Sequence, residues 1–355
     1  MRRLVPIELP GGPGFVDALR RAWDDGDAVL PVDPRLPRPA VESLLEAMRL
    51  DQPVDDGDAL VVATSGTTGE AKGVVLTHHA VRASAVATSD RLQVDPLRDT
   101  WLACLPLAHV GGLAVVTRAL VTNTPLVVQP GFDAVAVARA ADDGVTLVSL
   151  VATALHRIDA ARFRVIVLGG ATPPAELPSN VVSTYGMTET GSGVVYDGVP
   201  LDGVDVAVDP ASREIALRGP MLLRCYRDGT DPKDADGWFW TGDVGSLDGG
   251  RLQVFGRVDD MIVTGGENVW PGPVEAMLSA LPSVREVAVI GRDDEQWGQR
   301  VVAVVVPSDP AAPPTLDELR STVKERLGPW AAPRALELTA SLPRTALGKI
   351  RRSAI

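Results

Sequence analysis

Hydroxyl, glycine and lysine residues crowd one stretch, Thr64-Ser65-Gly66-Thr67-Thr68-Gly69-Glu70-Ala71-Lys72-Gly73. Glycine lets the main chain turn and present bare N–H groups to an anion, while hydroxyls and an ammonium add donors and charge. The chemistry suited to this composition is the holding of a polyphosphate. The apolar residues 60–63 read as a buried strand and the segment from Thr77 as a helix, so the expected order is strand, loop, helix. Gly66 to Gly73 nearly spells the P-loop pattern, but Ala71 replaces its second glycine and Gly73 its magnesium-binding hydroxyl. A P-loop kinase or ATPase is therefore disfavoured, and an unliganded Gly/Thr turn is the plain alternative.

Four later clusters carry complementary chemistry. Tyr185-Gly186-Met187-Thr188-Glu189 offers an aromatic face for a base and, in Glu189, a hard oxygen for magnesium. Trp240-Thr241-Gly242-Asp243, read as a turn before a short strand, offers a carboxylate for ribose hydroxyls. Gly256-Arg257 lies where the pattern changes, and Pro343-Arg344-Thr345-Ala346-Leu347-Gly348-Lys349 brings a charge able to reach a reacting phosphate. Singly, each is an ordinary turn or a solvated tail. Taken with the hydroxyl-rich loop, they describe an ATP site that two domains complete.

These groups need a scaffold, and short apolar runs alternating with helical patterns supply one. Residues 60–63, 101–105, 125–129, 147–151 and 164–168 read as strands, and 80–88, 113–122 and 134–141 as helices. Such alternation implies an α/β fold with parallel sheets covered by helices and with functional loops at the strand ends. From about Ser212 the strands shorten, including 214–218 and 251–255. After Arg257-Val258-Asp259-Asp260 come strand candidates at 286–290 and 301–306 and a helix at 316–327, a small α+β domain. The division expected is therefore 1–257 and 258–355.

Composition sets the outer limits. With 355 residues the chain exceeds the usual size of one core, and 45% hydrophobic and 23% charged residues are those of an ordinary globular protein. A formal net charge of −12 speaks against a nucleic-acid surface. Cys104 and Cys225 stand far apart, and neither they nor the four histidines show metal-ligand spacing, so reduced thiols are expected. The first residues break with Pro6 and Glu8 before a signal-peptide core could form, and no apolar run is long enough to span a bilayer. A cytoplasmic protein with no membrane span is expected, its oligomeric state open with a homodimer among the options.

The motifs together resemble those of adenylate-forming enzymes, the superfamily of acyl-CoA synthetases, peptide-synthetase adenylation domains and luciferases, in family order from about Asp58 to the C-terminus. Two departures are Glu70-Ala71, where the family usually carries proline before the lysine, and the absence of much of the family's N-terminal region. The resemblance implies that Thr64, Ser65, Gly66, Thr67, Thr68, Gly69 and Lys72 hold the β- and γ-phosphates of ATP. It places Gly169, Gly170, Ala171, Tyr185 and Gly186 at the adenine, Thr188 on a phosphate oxygen and Glu189 on Mg2+. Asp243 and Arg257 would hold the ribose, Asp259 would be the hinge of a mobile small domain, and Lys349 would reach the α-phosphate and the substrate carboxylate. Rotation about Asp259 would then withdraw Lys349 and present Gly265-Gly266-Glu267 to a pantetheine tunnel, where CoA attacks the adenylate. The plain alternative for Asp259 is an exposed loop acid.

For the acid itself, Leu105-Pro106-Leu107-Ala108-His109-Val110-Gly111-Gly112-Leu113 and Arg118 border the acyl pocket by the same resemblance. The His109, Gly112 and Arg118 spacing is similar to that of o-succinylbenzoate-CoA ligases of menaquinone synthesis, and the short N-terminus to actinobacterial members of that group. That substrate has two carboxylates, one activated and one needing a positive partner such as Arg118. Nine positions separate His109 from Arg118, which puts them on opposite faces of a helix with about 3.6 residues per turn unless the helix begins after Gly112. The plain alternatives are a packed loop histidine and a snorkelling surface arginine. Competing functions are a CoA ligase for another aryl or medium-chain acid, an adenylation enzyme loading a carrier-protein thiol, and a non-catalytic relative. No carrier serine motif follows Lys349, and Lys349, Glu189 and Asp243 are all present, which disfavours the last two.

Overall fold

The computed structural model describes residues 2–65, 71–170, 173, 176–344 and 350–355. Contacts divide the chain into two units, residues 1–170, 178–206 and 217–239 in the first and 171–177, 207–216 and 240–355 in the second.

The first unit is built on two sheets. In the five-stranded one the order is Leu4–Ile7, Ala28–Pro31, Asp58–Ser65, Ala71–Thr77 and Cys225–Tyr226. The seven-stranded one runs Val199–Pro200, Ser192–Tyr196, Val181–Met187, Val165–Gly169, Leu147–Val151, Trp101–Ala103 and Leu126–Val128. From Val181–Met187 to Leu126–Val128 every pair is parallel. These strands are apolar on both faces, as parallel strands under helices must be: Leu147, Val148, Leu150, Ile166 and Leu168 are all buried. The helices His78–Arg91 and Ala134–Asp142 start where Thr77 and Asp133 accept a backbone N–H from Ala80 and Ala136, which satisfies donors the first turn leaves unpaired. The expected α/β fold is present.

The expected strand, loop, helix order around residues 64–73 is not. The segment Ala71–Thr77 is itself a strand, paired antiparallel with Asp58–Ser65 in a register that sets Thr64 opposite Lys72, and the helix starts only at His78. Val74, Val75 and Leu76 are buried between neighbours, and a β-branched run in that setting favours the pleated strand. Of the phosphate-loop candidates, Thr64 and Lys72 therefore face each other across the two strands of a hairpin.

A four-stranded sheet, most of it in the second unit, pairs Phe239–Asp248 antiparallel with Arg251–Arg257 and includes Glu214–Arg218 and Asp205–Val208. Thr241, Gly242 and Asp243 lie inside that ten-residue strand rather than in a turn before a short one. The remainder is a small α+β assembly whose sheet runs Glu267–Val269, Ile262–Thr264, Gly298–Pro307 and Val284–Asp294, with Ala335–Leu338 beside Gly298–Pro307. Helices Pro271–Leu278 and Leu316–Leu327 cover one face through Val274, Leu278, Leu319 and Val323 against Val287, Val289, Val301 and Val305. On the other face Ala288, Ile290, Val302, Val304 and Val306 form a second core with Leu342, against which Ile350 and Ile355 pack. Both faces are buried, which is why residues 301–306 read as one unbroken apolar run.

Candidate active site

The hairpin brings Lys72 onto a short polar chain of contacts. Its ammonium lies 5.3 Å from the centre of the Tyr226 ring, a cation–π contact, and the Tyr226 hydroxyl donates to Glu189 Oε1 at 3.1 Å. Tyr226 reaches this place because Cys225–Tyr226 adds to the sheet edge with Tyr226 opposite Val74. Thr64 donates its hydroxyl to the Lys72 carbonyl at 3.4 Å. Gly66, Thr67, Thr68 and Gly69 lie outside the described residues, as do Ala171 and Lys349, and so does the side chain of Ser65.

Glu189 stands in a single turn, Thr188–Thr190, after the strand that carries Tyr185 and Gly186. Buried Thr190 pins that turn: its hydroxyl accepts from Met187 N at 2.9 Å and donates to Ser192 O at 2.6 Å. Leu223 N donates to the Glu189 carbonyl at 2.7 Å, so backbone and side chain are both held. Gly186 cannot be larger, because a Cβ there would lie 2.2 Å from Ser192 O. Gly169 ends the neighbouring strand and Gly170 follows with φ +92, a conformation that favours glycine. Tyr185 and Thr188 are half-buried beside these glycines in sequence and sheet order.

The acyl-pocket candidates divide. The helix begins at Val110, not after Gly112, so His109 is its N-cap residue and the geometry under which His109 and Arg118 would converge does not arise. Gly112 is fixed by packing, since a Cβ would meet Leu105 O at 2.5 Å, whereas Gly111 is exposed with room around it. Burial holds the His109 pKa below its usual 6.5, the nearby Asp33 pulling it up and Arg35 pushing it down. His109 is therefore neutral at pH 7.

Arg118 is not a surface arginine: it is only 3% exposed. Its guanidinium lies over Trp101 at 4.9 Å and donates through Nη2 to Ser192 Oγ at 3.2 Å, while Nε and Nη1 are buried without hydrogen-bond partners. Burial lowers its pKa below the usual arginine range, the direction expected for a desolvated cation. The side chain lines a cavity of about 10 Å³ with Ser84, Thr117 and Gly191, room for about one water molecule. A buried guanidinium with two unpaired donors is costly unless an anion or water completes it.

The second unit holds the other candidates. Asp243 and Arg257 are register partners, with Nη1 3.3 Å from Oδ1, and Asp243 N donates to Thr241 Oγ1 at 3.0 Å. Gly242, with φ +69, leaves space for that arginine, since a Cβ would come within 3.0 Å of Arg257 Nη2. Asp259 is exposed in the turn Val258–Asp260. Gly265 and Gly266 both have positive φ, and a Cβ on Gly265 would meet the Trp297 ring at 2.6 Å. Trp297 is itself covered by the Arg334 guanidinium at 3.8 Å.

Among the described residues no group of three or more His, Cys, Asp or Glu is arranged to hold a metal. A lone carboxylate such as Glu189 nonetheless suits magnesium, which keeps waters and takes its remaining ligands from substrate phosphates. Both cysteines are free and buried, and burial pushes the Cys104 thiol up to about 12, so it is no nucleophile. No helix among the described residues is long and apolar enough to cross a membrane.

The sequence profile of the AMP-binding enzymes matches residues 23–226, and that of the AMP-binding enzyme C-terminal domain matches 273–349. The chain belongs to the AMP-binding enzyme family. A Mycobacterium tuberculosis protein named "Probable 2-succinylbenzoate--CoA ligase" is 40% identical over 98% of this chain and 97% of its own length. The fold is similar to that of o-succinylbenzoate CoA synthetase from Bacillus subtilis in complex with the acyl-adenylate intermediate, with TM-score 0.87, 26% identity and coverage of 99% of this chain and 88% of that one. The same Bacillus subtilis enzyme with ATP and magnesium ion gives TM-score 0.87 and 26% identity over 99% and 89% of the two chains.

Within this family member, sequence reasoning missed Tyr226, Ser192 and Trp101, the partners that hold Glu189 and Arg118. Tyr226 lies before Asp228-Gly229, a turn signal that marks the end of a strand but not what that strand pairs with.

Proposed function

We propose that the protein joins o-succinylbenzoate to CoA through an acyl-adenylate, a step of menaquinone synthesis in the cytoplasm. The reading is supported by relatives of that name and, most directly, by Arg118, whose two unpaired buried donors require an anionic or water partner. An acid with a second carboxylate supplies one. The cavity at Arg118 is far too small for an aryl acid, so the acid reaches it by opening the pocket or through a bridging water.

Carboxylate and ATP repel each other, so both must be neutralised and aligned before a carboxylate oxygen can attack the α-phosphorus. In this reading Lys72 and residues 64–69 hold the phosphates that leave as pyrophosphate, and Tyr226 fixes the direction of the Glu189 carboxylate. Magnesium, when held by Glu189 and the phosphates, supplies charge neutralisation. Asp243 and Arg257 hold the ribose, Thr188 bonds a phosphate oxygen, and Tyr185 with residues 169–171 and Gly186 borders the adenine. Lys349 contacts the α-phosphate and the carboxylate. The carboxylate oxygen bonds to the α-phosphorus, the bond from that phosphorus to the bridging oxygen breaks, and pyrophosphate leaves with the acyl-adenylate formed. Movement of residues 258–355 about Asp259 next withdraws Lys349 and brings Gly265 and Gly266 to CoA, whose thiol displaces AMP.

Incubation with ATP, magnesium and o-succinylbenzoate without CoA tests this reading. Mass spectrometry should find the acyl-adenylate on the protein, converted to the CoA thioester when CoA is added. Detection of ADP and an acyl-phosphate instead would refute it.

A further inference from the structure

Arg344 and Ile350, the described residues that flank Lys349 in sequence, are both tied down inside residues 258–355. Arg344 and Ile350 form an antiparallel bridge, Arg351 N donates to Pro343 O at 2.8 Å, and Arg344 Nη2 donates to Glu286 Oε2 at 2.7 Å. Three residues beyond Lys349, Arg352 makes a two-way contact. Its Nη2 donates to both Glu275 oxygens, at 2.8 and 2.7 Å, and its Nη1 donates to Asp260 Oδ2 at 3.1 Å. Glu275 is itself fixed on the helix Pro271–Leu278 and accepts from Val289 N at 2.7 Å. Asp260 immediately follows Asp259, the proposed hinge.

Arg352 therefore connects three things: the chain that follows the lysine in sequence, the helix Pro271–Leu278 and the turn at the hinge. We propose that Arg352 is a positioning residue for the first half-reaction, a clamp that ties the chain following Lys349 to the hinge turn. A planar guanidinium that meets both oxygens of one carboxylate through Nη2 and a second acid through Nη1 holds the two acids at a fixed spacing, and an ammonium, a single point of charge, cannot reproduce it. Every partner of the clamp lies within residues 258–355, so it travels with Lys349 and need not break when that residue withdraws. This inference rests on the assignment of Lys349 to adenylation.

The test measures two rates on the full chain: acid-dependent pyrophosphate release, and CoA thioester formation from preformed acyl-adenylate. Arg352→Lys should lower the first at least tenfold, as a fall in kcat with little change in the KM for ATP, and leave the second within about twofold. Asp260→Ala, which removes only the hinge-side contact, should lower the first several-fold in the same selective way. It decides the matter alone if Arg352→Lys does not fold. Equal losses in both rates, or normal pyrophosphate release, would overturn the clamp. Lys349→Ala run in parallel separates the two failures. If it too lacks selectivity, the adenylation assignment falls and the clamp with it; if it alone is selective, only the clamp falls.

Discussion

The Tyr226 hydroxyl donates to the Glu189 carboxylate at 3.1 Å, while the ring of the same tyrosine lies 5.3 Å from the Lys72 ammonium. One side chain thus bridges the cation assigned to the departing phosphates and the acid assigned to magnesium. Tyr226→Phe keeps the ring and loses the hydrogen bond, which for a charged acceptor is worth about 2 kcal/mol. Adenylation should slow by about tenfold or somewhat more, with rising magnesium giving partial rescue; Tyr226→Ala should slow it further. Initial rates of pyrophosphate release across a magnesium series check this.

Arg118 predicts substrate discrimination. Arg118→Leu removes the proposed partner of the second carboxylate, and a charge-assisted pair of this kind contributes about 2–3 kcal/mol. The kcat/KM for o-succinylbenzoate should therefore fall by about a hundredfold, whereas a benzoate lacking the succinyl acid should change much less. Equal losses for both acids would leave Arg118 a packing residue over Trp101.

Lys349 and Asp259 should separate the half-reactions in opposite directions. Removing one donor aimed at the transition state costs about 3 kcal/mol, so Lys349→Ala should slow adenylation at least a hundredfold and spare thiolation of preformed adenylate. Asp259→Pro should slow thioester formation and leave pyrophosphate release near normal. Rapid-quench measurement of each half-reaction distinguishes them.

His109 makes a prediction about stability. Burial lowers its folded-state pKa below the unfolded value of about 6.5, so between those values the unfolded chain binds more protons. Stability therefore rises with pH through that window and is lost as pH falls below 6.5. His109→Gln should narrow the gap between urea midpoints measured at about pH 7.5 and about pH 5. It should not abolish the gap, because burial also lowers the His78 pKa.

Much of this was legible in the chain because local rules govern it. Leu147–Val151 and Leu316–Leu327 have the bounds their patterns predict, an apolar run between breakers and a helix capped by Thr315. What escaped depended on distant pairing. Residues 73–76 become a strand only because Asp58–Ser65 and Cys225–Tyr226 flank them, and Tyr226 meets Glu189 and Lys72 only through that sheet. For Arg118 the pattern left a pocket residue and a surface arginine both open, because nothing in its own helix announces Trp101 or Ser192. The motifs named the reaction class, but the partners that aim them are set by tertiary packing.

The most direct test is the dependence of pyrophosphate release on the acid, measured with ATP, magnesium and CoA against a panel of aryl, medium-chain and dicarboxylic acids. O-succinylbenzoate should give the highest kcat/KM, by about a hundredfold over acids lacking its second carboxylate, with stoichiometric CoA thioester. Equal or faster turnover of a monocarboxylic acid, or thioester formation only on a carrier protein, would contradict the account.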